Sequence, residues 1–121
     1  MNDPFGASEF LTRLKPLLRA RALAFDPRNP KKTWAFMLEE GLGEEDAYDI
    51  IAKLGQEHYR RGPEPDDNGS PGEVMIFHYP YARLFYPFDR ILLYIKLKIW
   101  VAKDTGEDAG IVMSFHDEGN V

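Results

Sequence analysis

The sequence predicts an α+β domain in which N-terminal helices pack on a small, mainly antiparallel β-sheet. Apolar residues recur at helical spacing in the first half of the chain, and beyond residue 72 that spacing gives way to β-type runs with the period-two alternation of strands. Helices followed by strands, rather than interleaved with them, point to α+β with antiparallel pairing. Between the two halves lies GPEPDDNGSPG, residues 62 to 72, so dense in proline, glycine and aspartate that it reads as an ordered turn or loop without regular structure.

Each element has its own signals. Phe10, Leu14, Leu17 and Leu18 share one face of a first helix, with Ser8 as N-cap, and Pro16 predicts a kink or a late start because proline removes a backbone donor. Asn29-Pro30 marks the N-cap and first position of a second helix, which Gly41 ends, with Trp34, Met37 and Leu38 facing inward. A third helix spans about Glu44 to Leu54: Ala47, Ile50, Ile51 and Leu54 form its buried stripe, Gly55 stops it, and Glu44, Glu45 and Asp46 suit its positive end. Strands are expected over Glu73 to Phe77, Ala82 to Tyr86, Ile91 to Val101 and Ile111 to His116.

At 121 residues the chain can bury one core and not two, so a single domain over residues 1–121 is expected. Hydrophobic residues at 44% and aromatics at 13% set disorder aside. The absence of cysteine excludes a disulfide framework or a thiolate metal site and fits a reducing compartment. MNDPFGASEF lacks a basic start followed by an apolar stretch, and no apolar run approaches the roughly twenty residues of a membrane helix, so a cytoplasmic protein is expected.

A net charge of -5 opposes nucleic-acid binding by charge alone. Its distribution is uneven: residues 1–32 carry 7 Lys or Arg against 3 Asp or Glu, hence +4, and residues 33–58 carry 1 against 7, hence -6. Basic surface can therefore exist locally.

In ILLYIKLKIWV the odd positions Ile91, Leu93, Ile95, Leu97, Ile99 and Val101 form a core face. Tyr94, Lys96, Lys98 and Trp100 fall on the other, interleaving cations that hold phosphate with rings that stack on exposed bases. The same alternation also fits an ordinary solvated face with lysine as an edge gatekeeper. In the last strand Ile111, Met113 and Phe115 form one set, and Val112, Ser114 and His116 the other. Pairing of these two strands would bring His116, which exchanges protons near neutral pH, to the face of Tyr94 and Lys96. A single histidine at a strand end is more often a surface residue than a catalyst.

Arg60 and Arg61, in HYRRGPEPDD, offer a second wall of positive charge or pair with Glu64, Asp66 or Asp67. No phosphate-cradling glycine loop, GxSxG elbow or HExxH helix is present, and His58, His78 and His116 lack metal-ligand spacing, so neither metal nor cofactor is expected.

LGQEHYRRGPEPDDNGSPGEVMIF, then LYIKLKI, then IVMSFH, resembles in order and spacing the MqsR-type toxins of bacterial type II toxin-antitoxin systems, with their YKGPEPD-like loop, YIKL-like strand and terminal SFH-like strand. The preceding EEGLGEEDAYDIIAKL is also similar, and the likeness covers about residues 33–118. It implies a RelE-like fold and metal-independent cleavage of single-stranded mRNA, in which the ribose 2'-hydroxyl attacks the adjacent phosphate. It also implies a neutralising antitoxin encoded nearby.

Carried over residue by residue, the resemblance gives Arg60 and Lys96 the phosphate, His116 proton transfer, and Tyr94 ribose orientation or a share in proton transfer. Arg61, Lys98 and Trp100 would contact RNA. Arg60 stands where the family commonly has lysine, and because a guanidinium does not readily release a proton, its implied role is charge stabilisation. Ile76 stands where some members have glutamine, and the segment HYPYARLFYPFD, residues 78–89, is longer and more aromatic than the usual hairpin. The competing reading is a non-catalytic module that keeps the fold and uses the Tyr94 to Trp100 face to hold protein or RNA.

Overall fold

The computed structural model describes residues 6–83 and 90–120, the last two by backbone alone, and shows three helices over one face of a five-stranded sheet. The elements run α1 (Ala7–Arg19), β1 (Leu23–Phe25), α2 (Pro30–Glu40), α3 (Glu44–Ile51), β2 (Tyr59–Glu64), β3 (Glu73–Ala82), β4 (Arg90–Val101) and β5 (Asp108–Asn120). The sheet order is β1-β5-β4-β3-β2; β1 runs parallel to β5, and the other neighbours are antiparallel. Among the described residues no helix is long and apolar enough to cross a membrane.

Two strands exceed the expectation. β1 has three residues, too few to show alternation. β2 extends through Glu64, so regular structure reaches into the segment read as loop, and the irregular stretch is confined to 65–72. Its pairing with β3 shifts register twice, and its glycine and proline are tolerated because it is an edge strand. Gly62 sits at φ 118, where a Cβ would come within 2.6 Å of the Val74 carbonyl. Of the strand expected at 82–86, Ala82 belongs to the end of β3, and residues 84–86 lie outside the described residues, as does the rest of 84–89.

The helices follow their signals with four corrections. α1 starts at Ala7 after Gly6 at φ 81, so Ser8 is not the cap; its carbonyl instead accepts from the Thr12 hydroxyl at 2.9 Å. The helix passes through Pro16 to Arg19 with no late start, since Pro16 and the Thr12 turn it cannot bond both face solvent. α2 is bracketed as its ends predict: Asn29 Oδ1 accepts from the Lys32 N–H at 3.3 Å, and Gly41 closes it at φ 69. Its inward face, however, is Thr33, Met37 and Glu40, while Trp34 and the 85% exposed Leu38 point outward. A charged side chain at a buried position disguised the phase of this helix: Glu40 Oε2 accepts from Arg83 Nη2 at 2.6 Å. α3 ends at Ile51, short of Leu54, which is nevertheless buried with Ala47, Ile50 and Ile51.

The core lies between the helices and the face of β4 formed by Ile91, Leu93, Ile95, Leu97 and Ile99, joined by Met75, Phe77, Val112 and Phe115. Burying each such aliphatic side chain contributes on the order of 1.5–3 kcal/mol. Val101 is exposed, because the strand end runs past the helical cover. In β5 a bulge changes the expected facing: Lys96 pairs with Ser114 but Leu97 with Val112, leaving Met113 as the extra residue. Val112 therefore joins Phe115 in the core, and Ile111 crosses to the side of Ser114 and His116.

Candidate functional site

The sheet face turned away from the helices carries a row of three rings on adjacent strands. His78 in β3 lies opposite Tyr94 in β4, and Tyr94 lies opposite His116 in β5. Because side chains directly across a sheet lean together, these registers stack Tyr94 on His116, with ring centroids 5.1 Å apart and planes 12° apart. His78 is tilted against the other side of Tyr94 at 6.0 Å. His78 is the residue the sequence reading missed; its own strand alternates too weakly to show the facing, and only the register brings it beside Tyr94.

A recess of about 190 Å³ opens beside this row, lined by Arg60, Arg61, Ile76, His78, Tyr94 and Glu118. β2 delivers the two arginines along the sheet edge. Glu118 arrives by a second bulge: Leu93 pairs with Asp117 and Leu92 with Gly119, so Glu118 is the extra residue. Arg61 pairs with Glu64 at 3.1 Å, whereas Arg60, like Lys96 farther along β4, makes no ion pair among the described residues.

The electrostatics follow from burial. His116 is 7% exposed, and burial lowers its pKa, with Lys32 adding to that and the Asp117 carbonyl, Glu118 and Asp117 opposing it. Its Nδ1 lies 3.0 Å from the Asp117 carbonyl oxygen, which only a donor satisfies, so in the neutral ring the proton sits on Nδ1 and Nε2 keeps a lone pair. Burial likewise lowers His78, aided by Arg60 and opposed by Glu118. Burial raises the Tyr94 phenol, as do Glu118 and Glu64 against the pull of Arg61, so it stays protonated at neutral pH.

Farther along the face the chain closes over itself. The 65–72 loop places Asp66 on Lys98, whose Nζ lies 2.7 Å from Asp66 Oδ2. Arg28, between β1 and α2, forks onto the same carboxylate at 3.0 and 2.7 Å. These donors, Arg28 first and then Lys98, hold Asp66 far below the usual carboxylate range. Lys98 is thus a buried structural cation rather than the exposed phosphate ligand that alternation suggested. Trp100 lines a separate cleft of about 260 Å³ with Arg28, Ser70, Pro71, Lys98 and Ile111, and the Lys98 ammonium lies 5.6 Å from its ring centroid.

The structure therefore brings Arg60, Arg61, Tyr94 and His116 to one region, places Lys96 on the same face, and sets Lys98 and Trp100 apart. His58 stands away from this row, against Tyr79 at 4.9 Å. Among the described residues no three His, Asp or Glu side chains are grouped so as to hold a metal ion. No family model, curated protein or solved structure matches this chain.

Proposed function

We propose that this protein is a metal-independent endoribonuclease that cleaves single-stranded mRNA, acting in the cytoplasm as the toxin of a type II toxin-antitoxin pair with a RelE-like, MqsR-type arrangement. The observation that carries the reading is the recess in which Arg60 and Arg61 flank Tyr94, itself stacked on His116. Permanently charged guanidiniums suit a phosphate whose negative charge grows in the transition state. Tyr94, held against His116, supplies a phenol able to move a proton as the ester bond to phosphorus is exchanged.

Lys96 lies next along the strand from this pair, facing the same side, and adds charge for a neighbouring phosphate. Trp100 is six residues from Tyr94 on β4, roughly 20 Å along an extended strand, where it offers a stacking surface to a base several nucleotides away. Lys98 is left out of RNA contact because Asp66 occupies its ammonium. Arg60 and Arg61 in the recess supply local positive charge for an anion despite the net charge of -5. An antitoxin encoded nearby would neutralise the enzyme by covering this face.

Purified protein incubated with RNA in EDTA tests the reading, alongside Arg60→Ala, Lys96→Ala and His116→Ala. Wild type is expected to cleave, and each variant to lose on the order of 10²-fold or more in rate. RNA left intact by wild type across many sequences, with and without ribosomes, rejects it. Salt-sensitive binding without cleavage would identify a non-catalytic RNA-binding module instead.

A further inference from the structure

Internal cleavage of RNA by its own 2'-hydroxyl needs one group to take a proton and another to give one, on opposite sides of the phosphorus. Arg60 and Arg61 keep their protons, so neither can serve as the base. His116 is 7% exposed, its ring face covers the Tyr94 ring, and it is not among the residues lining the recess. His78 does line it, is half-buried, and makes no hydrogen bond among the described residues.

From this arrangement, and resting on the ribonuclease reading above, we infer that His78 is the residue that takes the 2'-hydroxyl proton. As the 2'-oxygen bonds to phosphorus, its proton passes to a ring nitrogen of His78. The bond from phosphorus to the 5'-oxygen breaks, and that oxygen leaves with the phenolic proton of Tyr94. The products are a 2',3'-cyclic phosphate and a 5'-hydroxyl; the imidazolium and phenolate then exchange their proton through solvent, restoring both groups. His116, stacked behind the phenol, is a positioning residue for Tyr94.

The groups facing His78 are Tyr94 from β4, Arg60 and Arg61 from β2, and Glu118 from β5. Burial keeps the His78 ring neutral at neutral pH, the state a base requires. Ile76, two residues back on the same face, is apolar and offers no alternative. Among the described residues Glu118 is the only carboxylate in the lining and hence the competing base.

The test is single-turnover cleavage of a short oligoribonucleotide by the full chain from about pH 5 to about pH 8. Wild type is expected to slow as pH falls through the histidine range. His78→Gln is expected to lose on the order of 10²-fold or more and to lose that limb. Its affinity for a 2'-deoxy analogue should stay within about two-fold of wild type, and added imidazole should restore activity to His78→Ala, which no folding defect would allow. His116→Gln should keep the limb, and Glu118→Gln should shift it to lower pH. If wild type cleaves while His78→Gln retains rate and limb, or if the limb disappears only in Glu118→Gln, the assignment to His78 is overturned and the ribonuclease reading stands. If wild type cleaves no RNA, both fall.

Discussion

Replacing Asp66 with asparagine should destabilise the protein severely, although the change alters one atom of a loop. The Asp66 carboxylate is buried against the buried Lys98 ammonium at 2.7 Å, and Arg28 also grips it. Arg28 is partly exposed and would turn to water once the charge is gone. Lys98 has no such exit. Removing one partner of a buried ion pair costs about 3–5 kcal/mol, and Asp66→Asn should cost about that much. For a chain of this size that lowers Tm by roughly 10–20 °C.

Thermal and urea unfolding of Asp66→Asn, Lys98→Met and the double variant measure this directly. The double variant should recover most of the loss, because it removes the stranded charge along with its partner. A Tm within about 2 °C of wild type for Asp66→Asn, or a double variant no better than the sum of the singles, would refute the argument.

Other outcomes follow from the same contacts. His116 and His78 have lowered pKa values in the fold, so an unfolded chain gains protons below about pH 6.5 that the native state refuses. Stability should therefore fall as pH drops from about 6.5 through their folded values, and His116→Gln should flatten that decline in a urea series. Asp66 has the opposite sign of shift relative to its charge: its contribution is complete above about pH 4 and disappears as pH falls through its depressed value, a loss Asp66→Asn should not show. Gly62→Ala forces a Cβ to within 2.6 Å of the Val74 carbonyl at φ 118 and should cost about 2 kcal/mol or more by chemical denaturation. Arg60→Lys should keep a measurable part of any RNA cleavage and Arg60→Ala much less, since charge at that point matters more than the guanidinium fork.

Much of the fold could be read from the sequence because its signals are local. Asn29-Pro30 and Gly41 set the ends of α2 through hydrogen bonds within a few residues, and the odd positions from Ile91 to Ile99 declare a buried face by alternation alone. What could not be read depends on partners distant in sequence. Glu40 is buried because Arg83 meets it, which hid the true inward face of α2. The bulge at Met113 exchanged Ile111 and Val112 between faces, and alternation contains no information about where a ladder slips. The candidate site divides in the same way: Tyr94 and Lys96 were visible on their strand, whereas the approach of His78, the arrival of Glu118 and the capture of Lys98 by Asp66 follow only from register and loop path.

The chemistry of the cut ends tests the central claim most directly. RNA treated with purified wild-type protein in EDTA should yield 2',3'-cyclic phosphate and 5'-hydroxyl termini, and Tyr94→Phe should suppress them. Intact RNA, or fragments bearing 5'-phosphates, would contradict the account, because internal 2'-hydroxyl attack cannot leave a phosphate on the departing oxygen.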